Sequence, residues 1–141
     1  MNSTHSLAAL AVTLALATGA HAEIAVVVNP HSGITSLTAE QVAQIYTGAS
    51  TTFPGGTTAT PVDQAEGASV REEFLAKVLG KSSAQYKAVW SRLIFSGKGT
   101  RPKAGASSAE VKKMVASDPT AIGFIERAAV DESVKVVLSA K

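Results

Sequence analysis

The sequence predicts one α/β domain with a small, mainly parallel or mixed sheet flanked by helices. Apolar runs of strand length alternate with stretches in which apolar residues recur at helical spacing. The first run, Ile24–Val28, shows no polar alternation, which is typical of a strand covered on both faces, as in a parallel sheet. The 141 residues are 45% hydrophobic, which is enough for one core.

The elements of the first half follow from local signals. Thr38 and Gln41 have the spacing of a capping box, so they predict the start of a helix, and Gly48 is placed to end it. Residues 49–60 are rich in Thr, Ser and Gly and predict a loop. Residues 60–63 predict the next short strand.

The second half repeats the pattern. Ser82 with Gln85, and Ser107 with Glu110, predict the starts of two further helices. Between those helices, residues 96–105 predict a basic loop. Two strands are then expected, at residues 121–125 and 134–138.

The stretch from Pro61 to Leu79 is the candidate functional segment. It predicts a strand, a glycine-containing turn and a helix with one apolar face, for which Ser69 and Glu72 are placed as a capping box. A strand that feeds a helix through such a turn directs backbone N–H groups and the positive end of the helix dipole at one point. That geometry can hold an anion.

Residues 1–22 have features of a cleaved signal peptide, which leaves residues 23–141 as the domain. Leu7–Ala17 is an apolar run of signal-peptide length, too short to span a bilayer, and Ala20-His21-Ala22 is a small-x-small cleavage site. The segment before the run contains no Lys or Arg, so a buried helix or a membrane anchor remains an alternative. A signal peptide predicts export, and a chain without cysteine fits the periplasm.

Composition excludes several kinds of site. With no cysteine there is no disulfide, thiol nucleophile or thiolate metal site. His31 is the only histidine outside the predicted signal, so a catalytic triad or histidine metal site would have to centre on it, whereas a solvated turn is the simpler interpretation. The net charge of +2 is well short of a nucleic-acid-binding signature. We therefore predict no enzyme, no cofactor, no metal and no nucleic-acid partner.

Several short segments together resemble the second lobe of the phosphate-type (PstS-like) periplasmic solute-binding proteins, which have a type 2 periplasmic binding protein-like fold. They occur in the family's order along residues 23–141, and the match is with short, single-lobe members. The segments are Ile24–Pro30, Leu37-Thr38, Gln41-Val42, Ile45–Gly48, Trp90–Gly99 and Pro119–Phe124.

The resemblance implies a non-enzymatic phosphate- or oxyanion-binding protein of an ABC transporter. The family's phosphate loop typically reads Arg-x-Asp-Gly-Ser-Gly-Thr, and its seven positions here are residues 64–70. We expect backbone amides of residues 67–70 to hold the ligand, with help from the Ser69 and Arg71 side chains, and Glu66 to accept a proton from a hydrogen phosphate. The candidate ligand-binding residues are Glu66, Gly67, Ala68, Ser69, Val70 and Arg71.

An alternative function stays open, because only the first glycine of the loop is kept. Gln64 replaces the arginine, and Ala68 and Val70 lack the two hydroxyls. The second hypothesis is a ligand-free interaction or sensor-adaptor module, derived from a solute-binding lobe, that contacts a membrane sensor or transporter component. A lone lobe also exposes the face that would meet its missing half, so that face is expected to bind another protein or a second copy.

Two further patterns have simple interpretations. A basic patch is predicted in and beside the loop, for an anionic ligand, an acidic partner or solvent; its members are Arg92, Lys98, Arg101 and Lys103. Residues 97–100 look like part of a P-loop, but the pattern is incomplete and follows a helix, so we discount it. The aromatic residues expected in the core are Tyr46, Phe74, Trp90, Phe95 and Phe124, and either Trp90 or Phe95 is a candidate to line a cleft.

Overall fold

In the computed structural model, residues 23–141 are described, and the predicted signal peptide lies outside that range. The strands are β1 (Ile24–Val28), β2 (Thr60–Gln64), β3 (Lys103–Gly105), β4 (Ala121–Glu126) and β5 (Lys135–Ala140). The α-helices are α1 (Ala39–Tyr46), α2 (Ser69–Phe74), α3 (Ser83–Phe95) and α4 (Ser108–Ser117). A π-helical segment, Leu75–Leu79, continues α2, and a 3-10 turn, Arg127–Ala129, follows β4.

The strands form one mixed sheet in the order β3-β2-β4-β1-β5. β2 pairs in parallel with β3 and β4, whereas β1 is antiparallel to both β4 and β5. The predicted α/β class with a small mixed sheet is confirmed, and every residue of β1 is buried, as its apolar run indicated. The expectation that β1 runs parallel to its neighbours is wrong. A strand that is buried on both faces needs apolar residues throughout, but this requirement does not determine its direction.

The two faces of the sheet carry different layers. On one face, residues of α1, α2 and α3 pack with side chains of β1 and β4 around an aromatic cluster. There, Phe74 stacks on Phe124 with ring centroids 4.0 Å apart, and Tyr46 meets Phe74 edge-on at 4.8 Å. On the other face, α4 covers the sheet through Val111 and Val115.

Two glycines allow α4 to lie close to the sheet. A Cβ atom on Gly123 of β4 would come within 2.8 Å of Val111 Cγ1 and 2.9 Å of Val115 Cγ2. A Cβ atom on Gly105 of β3 would come within 2.7 Å of Val111 Cγ2. The helix therefore uses the absence of side chains at these two strand positions.

The predicted helix starts at Thr38, Ser82 and Ser107 are confirmed, since each hydroxyl accepts a hydrogen bond from the N–H three residues later. Four expectations were inexact. β2 and β4 each run one residue further than predicted, β5 starts one residue later and ends two later, and β3 lies inside the segment predicted as a basic loop. β3 was missed because it has only three residues, and only Gly105 among them is buried.

The prediction that Phe95 belongs to the core is wrong, because its side chain is 95% exposed. Phe95 is the last residue of α3, and the helix is capped directly after it. Gly97 takes a left-handed φ of 74°, the N–H of Lys98 donates to Leu93 O at 2.9 Å, and the N–H of Gly97 donates to Ile94 O at 3.1 Å. This is a Schellman cap, which accounts for Gly97, the first glycine of the segment that looks like part of a P-loop.

Among residues 23–141, no helix has both the length and the apolar character needed to cross a membrane.

Candidate functional site

The end of β2 is fixed on both sides before the chain enters the candidate segment. The Gln64 side-chain amide donates to Phe124 O at 3.0 Å and to Ser108 Oγ at 3.1 Å, which joins β2 to β4 and α4. The N–H of Ala65 donates to Gly105 O at 3.1 Å. The following turn therefore starts from a rigid strand end.

The turn between β2 and α2 depends on Gly67, whose φ of +87° is in the region that favours glycine. It is closed by the N–H of Ala68, which donates to Ala65 O at 3.1 Å. Ala68 then has extended backbone angles and is the N-cap residue of α2. A strand, a glycine turn and a helix are thus present in the predicted order.

The predicted capping box of Ser69 and Glu72 is wrong. The turn brings the chain into helical geometry one residue earlier than expected, so Ser69 is the first helical residue and Ala68 has no side chain that can cap. No side-chain hydrogen bond caps this helix start. The N–H groups of Ser69 and Val70 belong to the first turn, where an α-helix supplies no acceptor of its own.

Arg71 is buried and paired, with 9% of its side chain exposed. Its Nε donates to Asp63 Oδ1 at 3.0 Å and its Nη2 to Asp63 Oδ2 at 3.3 Å, while Nη1 donates to Ser83 Oγ at 3.1 Å. The guanidinium also lies 5.4 Å from the centroid of the Tyr86 ring. Its ionic partner is therefore an aspartate near the end of β2.

Tyr86 closes the site on the side of α3. Burial, followed by the negative charge of Asp63, raises the pKa of the Tyr86 phenol well above its ordinary value, so the group stays protonated. Its hydroxyl donates to Tyr46 O at 3.1 Å, and Trp90 Nε1 donates to the same carbonyl at 2.9 Å. The last turn of α1 thus anchors the face of α3 that borders the site.

A small cavity of about 40 Å³ lies between the start of α2, α3 and the segment before β3. Its charged lining consists of three cationic and two anionic side chains, and its remaining members are a serine, two aromatic residues and a proline. The lining residues are Asp63, Glu66, Arg71, Ser83, Tyr86, Lys87, Trp90, Arg101 and Pro102. Since one water needs about 10–15 Å³ of such volume, the cavity takes a few water-sized groups.

The structure brings only part of the predicted site together at this cavity. Glu66 and Arg71 line it, whereas the Val70 side chain is buried in the core. Gly67 and Ser69 form the exposed turn and helix start beside it. The N–H groups of Ala68 and Arg71 donate within the segment, to Ala65 O and Ala68 O.

Sequence reasoning missed the contributions of Asp63, Ser83 and Lys87. Ser83 and Lys87 are four residues apart and so share one face of α3, and that spacing was visible. Nothing local indicated that this face would meet α2, because the contact depends on the tertiary docking of α3 on α1.

His31 carries no site in this structure. It is exposed in the turn after β1, and its backbone N–H donates to Asn29 Oδ1 at 2.9 Å. Asn29 in turn donates to Val115 O and Ala116 O, at 3.0 Å each, so this turn serves to join β1 to α4. In residues 23–141, no group of three or more His, Asp or Glu side chains is arranged to hold a metal ion.

Comparison with known proteins gives matches of fold. No protein-family model and no curated protein matches the chain. Among solved structures, it superposes on a protein described as a phosphate ABC transporter substrate-binding protein, with bound phosphate, from Clostridium perfringens. The TM-score is 0.64 at 23% identity, over 82% of this chain and 45% of that one.

Two further solved structures agree. An ABC-type phosphate transport receptor from Vibrio cholerae matches with a TM-score of 0.64 and 24% identity, over 82% of this chain and 46% of that one. PstS from Borrelia burgdorferi matches with a TM-score of 0.60 and 14% identity, over 82% and 47%.

These matches confirm the predicted resemblance at the level of the fold. The described domain has the α/β architecture found in part of these solute-binding proteins, and the chain spans less than half of their length.

Proposed function

We propose that this chain is a periplasmic oxyanion-binding module of the phosphate ABC transporter type, with inorganic phosphate as its ligand. The observation that carries the proposal is the uncapped start of α2, which follows β2 through a glycine turn in a fold shared with part of phosphate transport receptors. A signal peptide at residues 1–22, as predicted from the sequence, would export it.

The ligand would lie against the N–H groups of Gly67, Ser69 and Val70, with the Ser69 hydroxyl as a further donor. Charge-assisted hydrogen bonds of this kind contribute about 1.5–3 kcal/mol each. Lys87 and Arg101 line the adjacent cavity and add positive charge. Arg71 would act mainly by orienting the segment, because three of its guanidinium hydrogen bonds go to Asp63 and Ser83.

The cavity supports a partial site more than a complete one. It is too small to enclose a tetrahedral oxyanion, so much of the ligand would face outward. A second surface that supplies more donors and excludes water would raise the affinity. We therefore expect the isolated domain to bind phosphate weakly, at millimolar concentration.

Isothermal titration calorimetry on residues 23–141 with phosphate, sulfate and blank buffer tests the proposal. We expect saturable binding heat when phosphate is titrated into the protein, and a several-fold smaller heat with the Ser69→Ala variant. Ser107→Ala is the matched control, because Ser107 caps α4 outside the site, and this variant should lose stability without losing phosphate heat. The absence of heat at millimolar phosphate would exclude phosphate binding by this domain.

The second candidate function, an interaction module for a membrane sensor or transporter, is favoured by the end of α3. Phe95 is 95% exposed and Ile94 is 44% exposed, next to the exposed cation Arg92. A photo-crosslinking amino acid at position 95, in exported protein, should capture a membrane protein, whereas the same group at exposed Ala76 should not. Equal crosslinking at both positions would contradict this function.

A further inference from the structure

A second, much larger cleft lies at the opposite end of the parallel strands from the β2–α2 turn. Its volume is about 540 Å³, within the range of small-molecule sites. Thr60, Val62, Lys103 and Ala121, at or near the starts of β2, β3 and β4, line it. The proposed phosphate ligand does not extend into this cleft. Trp90 and Arg101 lie between the two cavities and line both.

The wall of the cleft formed by α3 is held in place by the fold. Trp90 is fixed through its Nε1 hydrogen bond to Tyr46 O. The loop after α3 folds back on the same side chains, since a Cβ atom on Gly99 would come within 3.2 Å of the Trp90 ring. On the other side, a Cβ atom on Gly48 would come within 2.9 Å of Leu93 Cδ1. The wall is therefore preformed.

The lining indicates the chemistry of a ligand. Ile45, Val62, Leu93 and Met114 give the cleft an apolar interior, which suits a carbon skeleton and offers nothing to a bare phosphate. Three cationic side chains, Lys98, Arg101 and Lys103, lie on one border, and Asp118 is the single carboxylate among the described lining residues. Three of the four members of the predicted basic patch thus lie at the edge of an apolar cleft, whereas Arg92 does not line it.

We propose that this cleft binds a small amphipathic organic anion. The apolar body would lie against Trp90, Leu93 and Met114, and the carboxylate or sulfonate would face Lys98, Arg101 and Lys103. The apolar interior accounts for the body, and the excess of cations at one border selects the charge of the head group.

Decanoate below its micellar concentration is a suitable probe, because Trp90 is the only tryptophan in the chain and lines the cleft. Since Trp90 also lines the smaller cavity, the variants below establish where the probe binds. We expect a saturable change in tryptophan fluorescence with decanoate, and at least a tenfold weaker response with decanol or decyltrimethylammonium, which have the same chain length. Equal binding of all three probes, or no saturation, would overturn the proposal.

Two variants test the location. The double variant Lys98→Gln/Lys103→Gln removes two cations that would face the head group, and neither residue lines the other cavity. Ser117→Phe places a ring at an exposed position of the cleft border. Each should weaken decanoate binding at least tenfold, whereas Lys81→Gln, which lines neither cavity, should leave it unchanged. Binding that survives in both variants would place the probe elsewhere and overturn the proposal.

A second copy of the chain is the competing occupant. If sedimentation shows concentration-dependent dimers that Ser117→Phe disrupts, and decanoate does not bind, the cleft is a protein interface and the proposal fails. Phosphate calorimetry on the same variants keeps the two sites distinct, because loss of decanoate binding with retained phosphate heat separates the cleft from the β2–α2 turn.

Discussion

The start of α2 differs from the starts of the other three α-helices in the described chain. α1, α3 and α4 each begin with a Thr or Ser hydroxyl that accepts a first-turn N–H, whereas α2 begins with Ala68 and has no side-chain cap. At the capped starts, the protein supplies its own acceptor. At α2 that position is left to solvent or to a ligand, and an ion pair beneath the helix replaces the cap as the local anchor.

That ion pair gives the largest expected effect. Arg71→Ala leaves Asp63 buried without its cation, which we expect to lower the free energy of unfolding by about 3–5 kcal/mol. Urea denaturation followed by circular dichroism measures the change. Asp63→Asn/Arg71→Met, which removes both charges, should recover a large part of the loss; if it does not, the ion pair is not the anchor of α2.

The contrast between capped and uncapped starts can be tested with one pair of substitutions. Ser82→Ala removes a capping box from α3 and should cost about 1 kcal/mol. Ser69→Ala removes no cap, so its effect should stay within about 0.5 kcal/mol. Thermal unfolding of the two variants measures both losses of stability. Equal losses would mean that Ser69 does cap α2 in solution.

Supplying α2 with a cap should remove the difference. Ala68→Asp places a carboxylate at the N-cap, and we expect a gain of about 0.5 kcal/mol, less than usual because Glu66, Glu72 and Glu73 are close in sequence. The same carboxylate should abolish phosphate heat in calorimetry. A variant that is stabilised and still binds phosphate would place the ligand away from this helix start.

The smallest effect on stability is expected in the turn before β5, where a carboxylate of the protein itself accepts the hydrogen bonds that an anion would accept. The Asp131 carboxylate accepts hydrogen bonds from Lys112 Nζ at 2.8 Å, from Ser133 N at 2.9 Å and from the Ser133 hydroxyl. These bonds, that from Lys112 foremost, lower the pKa of Asp131 to about 2 from an ordinary 3.8.

The sign of its pH dependence follows from that lowered pKa. The unfolded chain binds a proton on Asp131 more readily than the folded one, so the contribution to stability is present above about pH 4 and is lost as the pH falls towards 2. Asp131→Asn should therefore show a shallower loss of stability across this range in acid denaturation. An unchanged slope of stability against pH would mean that the hydrogen bonds to Asp131 do not stabilise the folded state.

Local signals accounted for most of the fold. β1 was evident from an unbroken apolar run, and three helix starts from Ser or Thr followed three residues later by Gln or Glu. The direction of β1 was not predictable in this way, because it depends on how β1 pairs with β4 and β5. The edge strand β3 was not predictable either, because it has only three residues and is defined by its pairing with β2. Phe95 was misplaced because helical spacing does not show where a helix extends beyond the layer it covers.

The candidate site was less accessible to sequence reasoning. The glycine turn and helix could be placed, but the helix start was wrong by one residue, since Gly67 sets the geometry and not Ser69. The pairing of Arg71 with Asp63 links a helix to the preceding strand end and has no sequence signature of its own. The cations of the large cleft were visible as a patch, but the cleft itself forms only when α3 docks on α1.

The position of β1 between β4 and β5 has a consequence for how the domain folds. The first strand of the described chain finds both of its neighbours only near the other end, so its pairing closes loops of about a hundred residues. Such long-range contacts slow folding, and the sheet cannot be completed while the chain is still emerging. We therefore expect the domain to stay unfolded until β4 and β5 have been synthesised, a state compatible with the export proposed above.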